Sequence, residues 1–249
     1  MEFTLAAIAF LPGLAFGSFL NVLAARIPLR RSVVSPGSAC MACVTPLAWY
    51  DNVPLLSFAL LRGRCRHCRT AIPWRYPFVE ATTGLLIAGC VLRFGFTWDA
   101  AVAAFLCAAL VAVSATDVER RIIPNRIVLP AAAVVLAANT LLHPSVEWAA
   151  AGFGAALFLF LAALAYPGGM GMGDVKLALL LGVALGRTVP VALMVGTVSA
   201  LAPSAVLFAR HGSAARKMKI PFGPFLAFGA VVALFGGPTI LGAYLGLLR

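Results

Sequence analysis

Gly168-Gly169-Met170-Gly171-Met172-Gly173-Asp174-Val175-Lys176 leads straight into the apolar run Leu177 to Leu185, so a carboxylate stands at the mouth of a hydrophobic segment. An aspartate at the centre of a membrane helix costs about 2.5–3.5 kcal/mol on insertion, which makes such a residue a functional hypothesis by default. A second carboxylate, Asp117, closes another apolar run in Ser114-Ala115-Thr116-Asp117-Val118-Glu119-Arg120-Arg121-Ile122-Ile123-Pro124-Asn125.

The chain around them is not that of a soluble protein. Of its 249 residues 62% are hydrophobic and 11% charged, against roughly half and a quarter in ordinary globular domains. The net charge of +11 does not point to nucleic acid, because the basic residues lie between apolar runs instead of clustering on one domain. The run from Phe3 to Ala25 has no basic residue before it, which predicts a retained span and not a cleaved signal peptide. Further runs at Phe78–Leu92, Ala100–Thr116, Ile127–Leu142, Trp148–Tyr166, Asp174–Gly186, Val189–Ala209 and Phe222–Leu248 predict an all-α polytopic membrane protein with about eight transmembrane helices. The sixth run is short. Keeping it separate from the seventh puts sixteen Lys and Arg on the inner side, against Arg93, Arg187 and Arg249 outside. Merging the two would move the Arg210, Arg216, Lys217 and Lys219 cluster outward, so positive-inside bias favours eight spans with both aspartates toward the cytoplasm.

Residues 26–77 differ in kind. They hold eight arginines, five prolines before Pro77 and no apolar run long enough to span, which predicts a small cytoplasmic domain between a first helix (1–25) and a membrane domain (78–249). Cys40-Met41-Ala42-Cys43 and Cys65-Arg66-His67-Cys68 are two CxxC pairs separated by 21 residues, close to the usual spacing of a four-thiolate zinc site. Each CxxC puts two thiolates on one turn, and zinc can close a domain too small to fold on burial alone. A pair of disulfides or free thiols is the alternative, disfavoured on a reducing side of the membrane; His67 could replace one cysteine. Four protein ligands leave no position for water, so the zinc would be structural. Cys90 and Cys107 lie in apolar spans and read as small buried residues.

Asp117 and Asp174 suit a different chemistry. Two carboxyl groups that share one proton can hydrolyse a peptide, the ionised one activating water and the protonated one bonding the carbonyl oxygen. Gly171 and Gly173 would let backbone approach closely, and Pro124 would turn the chain after the first aspartate. Either aspartate could instead be a helix cap, and Glu80, near Arg75, reads equally as an ion-pair partner or a substrate contact. A proton-coupled transporter using both aspartates as a relay, or a zinc-bearing membrane scaffold, would also contain these features.

The order of these motifs resembles one family, the type IV prepilin leader peptidases, which also carry an N-methyltransferase activity. Gly17-Ser18-Phe19-Leu20-Asn21-Val22 with Arg26-Ile27-Pro28 resembles its opening signature, and Cys40 to Glu80 its cysteine-rich domain. Asp117 with Ile123-Pro124-Asn125 matches the first catalytic motif, Gly171-Met172-Gly173-Asp174-Val175-Lys176 the second, and Pro221-Phe222-Gly223-Pro224-Phe225 resembles a late motif. The resemblance implies an inner-membrane aspartyl endopeptidase that removes the basic leader of prepilins or pseudopilins at the cytoplasmic face. It would then methylate the new N-terminus from S-adenosylmethionine, or cleave without methylating. Asp117 and Asp174 would be catalytic and Cys40, Cys43, Cys65 and Cys68 zinc ligands. No sequence fingerprint marks the methyl-donor site.

Overall fold

A computed structural model describes residues 2–166, 170–212 and 220–247. Of the sequence features above, Gly168, Gly169, Arg216, Lys217, Lys219 and Arg249 lie outside the described residues. The helices are α1 (Glu2–Arg26), the short α2 (Leu56–Leu60), α3 (Arg75–Phe94), α4 (Trp98–Arg120), α5 (Asn125–Leu142), α6 (Glu147–Ala165), α7 (Met172–Leu185), α8 (Val189–His211) and α9 (Gly223–Leu247). Among the described residues there is no strand, only the isolated bridges Ala39 to Pro46 and Arg64 to Ala71. The chain forms two compact units, Met1–Ala115 and Thr116–Arg249.

Among the described residues, seven segments are long and apolar enough to cross a membrane. The sixth, Met172–His211, has 40 residues; as one helix it would run about 60 Å, twice the hydrocarbon thickness. It is broken at Gly186, whose φ of 54° suits glycine, and its halves take different neighbours: α7 packs on α5 and α6, and α8 on α9. The short α7 is the central helix of its unit. Leu177, Ala178, Leu180 and Leu181 are fully buried, so α7 meets protein on all sides, and the length a lipid-facing helix needs does not apply to it.

α6 shows what lies outside. Its buried residues are Gly152, Ala155 and Leu159, while Phe153, Leu157, Phe158, Leu161 and Leu164 are exposed. Small side chains inward and large apolar ones outward fit a helix whose solvent is lipid, where close backbone approach replaces hydrophobic exclusion as the source of packing. This is a multi-pass membrane protein.

In the first unit α1 packs on α3 through the same device. A Cβ on Gly13 would come within 2.9 Å of the Gly84 Cα, and one on Gly17 within 2.7 Å of the Glu80 Cα. The Asn21 amide then donates to the Tyr76 carbonyl at 3.1 Å, tying the end of α1 to the start of α3. The segment between them therefore begins and ends at one place. Glu80, buried on α3, accepts a 3.0 Å bond from the Leu55 N–H at the start of α2, which anchors that segment to the helix.

Candidate functional site

In the second unit three distant segments meet at the aspartates. α4 continues past Thr116 and stops when Arg121 turns left-handed (φ 56°), its N–H reaching back to the Asp117 carbonyl at 2.7 Å. Asp117 therefore lies within the last turn of the helix and is only 5% exposed. It is not a solvated cap. Its Oδ2 accepts a 2.8 Å bond from the N–H of Gly223, the first residue of α9. A Cβ on Gly223 would stand 2.8 Å from that oxygen, so this approach of chain to carboxylate requires glycine.

Asp174 sits in the first turn of α7 and is 8% exposed. Its Oδ2 accepts from the Gly171 N–H at 3.1 Å, the reach-back half of a capping box. The capping role anticipated for this residue is real, and it uses one oxygen only. The hydrogen bonds described for both aspartates fall on Oδ2, and the charge of Asp117 acts on Asp174. Ile123 packs against Gly173, where a Cβ would come within 2.8 Å of its own, and Lys176 Nζ donates to Asn125 Oδ1 at 3.0 Å. The residues after Asp117 and those around Asp174 are thereby fastened together at two points.

The four cysteines form a second centre, in the first unit. Their sulfurs all lie within 4.8 Å of one another, and Cys40 Sγ is 3.7 Å from Cys68 Sγ. Zinc–sulfur bonds of about 2.3 Å give a tetrahedron with edges of about 3.8 Å, so the cluster can hold zinc. The two knuckles are built alike. Val44 N–H reaches the Cys40 carbonyl at 3.0 Å and Arg69 N–H the Cys65 carbonyl at 3.1 Å, each donor residue at positive φ (58° and 59°). Cys40 N–H and Cys65 N–H then bond the Thr45 and Thr70 carbonyls. Thr70 Oγ1 lies 3.3 Å from Cys68 Sγ, and its hydroxyl and backbone favour the thiolate, lowering Cys68 to about 6; Thr45 lowers Cys43 in the same way. Low thiol values suit metal ligands, which bind as thiolates; Cys40 departs from this, its thiol standing above the ordinary value, so it gives up its proton only as metal binds. His67 is outside the cluster. Cys90 and Cys107 are buried with sulfurs 3.8 Å apart, as their apolar setting suggested.

Three features escaped the sequence reading. The Cys-x-x-Cys-x-Thr repeat at 40–45 and 65–70 was visible and would have found the threonines. Gly223 stood in a noted motif without a role, and the Asn125 to Lys176 bond joins residues 51 positions apart with no local signal.

Residues 11–94 match the bacterial peptidase A24 N-terminal domain, and residues 104–208 match the type IV leader peptidase family. A relative from Bacillus subtilis (strain 168), named prepilin leader peptidase/N-methyltransferase, is 35% identical over 96% of this chain and 97% of its own. Relatives of the same name from Burkholderia pseudomallei (37% identical, 93% of this chain and 85% of the relative) and Pseudomonas aeruginosa (33%, 94% and 91%) align over similar spans. No solved structure matches.

Proposed function

Since this chain belongs to the type IV leader peptidase family, we propose that Asp117 and Asp174 are the catalytic pair of a prepilin peptidase and N-methyltransferase. The observation that carries this reading is the convergence of residues 117–125, 171–176 and 223 on two buried carboxylates. With Oδ2 of each held by a peptide N–H, Oδ1 of each is the oxygen left to face a water and a scissile carbonyl. One carboxylate takes a proton from water as it attacks, the other donates to the carbonyl oxygen, and the leaving amine collects a proton as the bond breaks.

The enzyme lies in the inner membrane, and positive-inside bias supports an orientation with this site toward the cytoplasm, where the basic leader of a prepilin or pseudopilin would lie. The cytoplasmic face of the enzyme is basic too, so substrate recognition rests on apolar helix packing in the bilayer more than on charge attraction. Residues 26–77 form the zinc-binding domain and 78–249 the peptidase domain. Cys40, Cys43, Cys65 and Cys68 hold a structural Zn²⁺ with no open position for chemistry. When bound, S-adenosylmethionine supplies a methyl group to the uncharged new α-amine, the N–C bond forming as the S–C bond breaks, with S-adenosylhomocysteine leaving and the amine proton passing to water.

The test is direct. Asp117→Asn and Asp174→Asn, each singly, are expected to lower leader cleavage about 1,000-fold or more, because paired residues fail as a unit. Zinc content should stay at the wild-type value. The product mass of a purified prepilin, with and without labelled methyl donor, reads both steps; cleavage at the wild-type rate by either variant would refute the pair.

A further inference from the structure

Nothing in the motifs locates the methyl donor, but the first unit contains a cleft suited to it. We propose that S-adenosylmethionine binds between the C-terminal half of α1 and the loops at residues 33–38 and 52–54. The inference rests on the methyltransferase half of the proposed function and adds its site.

The cleft has a volume of about 320 Å³, within the range of small-molecule sites. It lies along a stripe of α1 separate from the one that packs on α3. Gly13 and Gly17 face α3 and Leu20 and Ala24 are buried, whereas Ser18, Phe19, Val22 and Arg26 line the cleft. Ser38 and Asn52 close it from the cysteine-rich segment. A surface meant for lipid would not carry an arginine, two serines and an asparagine, since each unmet polar group there is costly. A surface meant only for water would not need Phe19 and Val22 beside them.

The chemistry matches the donor part by part. Arg26 spends two N–H groups on the Ser32 and Gly37 carbonyls, both at 3.2 Å, which fixes the loop that walls the cleft. A guanidinium has five N–H donors, so it can hold that loop and still receive the amino-acid carboxylate of the ligand. Phe19 offers an aromatic surface to adenine, and Ser18, Ser38 and Asn52 offer partners for ribose and ring nitrogens. Ser18 also lies against the buried Glu80 carboxyl, a polarity suited to a sulfonium.

Two further observations bear on the assignment. The cleft falls wholly within the residues matched by the N-terminal domain, while Asp174 lies in the segment matched by the peptidase family, so hydrolysis does not account for it. One wall is also built by the zinc knuckle: Ser38 accepts from Leu47 N–H at 2.8 Å and precedes the Ala39 to Pro46 bridge. The metal, far from being a bystander, would set the shape of the donor site.

The experiment uses the full-length protein in detergent and measures binding of S-adenosylhomocysteine by calorimetry, with zinc counted in each sample. Val22→Trp and, separately, Ser38→Trp fill the cleft and should weaken binding at least about tenfold with zinc retained. Ultraviolet crosslinking of methyl-labelled S-adenosylmethionine to the wild-type protein needs no variant, and its label should map to residues 15–26, 33–38 or 52–54. Label elsewhere, or wild-type affinity in both filled variants, overturns the site while leaving the enzyme's function standing. A wild-type protein that cleaves prepilin yet neither binds S-adenosylhomocysteine nor methylates removes the methyltransferase reading and this site together.

Discussion

The thiol cluster and the aspartate pair are built on opposite plans. Cys40 and Cys68, the outermost ligands, are 28 positions apart and sit on two knuckles with the same six-residue pattern and the same backbone bonds. Asp117 and its donor Gly223 are 106 positions apart, and Asp174 comes from a third segment. A metal centre can be written locally because the ion itself draws its ligands together and contributes folding energy. A carboxylate pair has no such ion; like charges repel, so the surrounding helices must hold it, and every element of the second unit that touches α7 shares in the geometry.

That contrast predicts how each centre fails. Cys65→Ser should be all-or-none, zinc falling from one per chain to none by elemental analysis; a variant that keeps its zinc would make the cluster something other than a four-thiolate site. The aspartate centre should fail by degrees. Gly223→Val places side-chain atoms where the Asp117 carboxylate now lies and should slow leader cleavage about 100-fold, the cost of displacing a reacting group by an ångström. Gly173→Ala presses on the Cβ of Ile123 and should cost about tenfold, recovered when Ile123→Gly removes that atom; additive losses in the double variant would mean that the contact does not position the site. The smallest effect concerns protons. With Cys68 lowered to about 6, its thiolate is present above that pH and lost as pH falls through it. Between pH 7 and 6 Cys68 should therefore contribute only about twofold to the fall in zinc affinity measured by competition with a chelator, less than Cys40, whose thiol stands above its ordinary value and must lose its proton to bind.

The same contrast explains what the sequence disclosed. Residue types and spacing revealed the four thiols, because their geometry is set within each turn. Hydropathy located the helices to within a few residues, with one informative difference: Ala100–Thr116 extends to Arg120, which moves Asp117 from a helix end into a buried turn. The brevity of the run at 174–186 looked like a problem of membrane span and proved to be the mark of a central helix enclosed by protein. Glu80 shows the limit most clearly. Its sequence neighbour Arg75 and its charge drew the attention, but one of its hydrogen-bond donors is the N–H of Leu55, a main-chain group that looks the same at every position of a sequence. Gly223 escaped for the same reason: its contribution is the absence of a side chain and the presence of an amide.

Those amides have a bearing on inheritance. Whatever residue mutation installs at 171 or 223, the donor atom survives unless that residue is proline; what a new side chain can spoil is the space beside the carboxylate, not the donor. Selection at these positions acts on bulk and on the route the polypeptide takes. A lineage can then rewrite most of its lipid-facing surface while the two carboxylates keep their tethers.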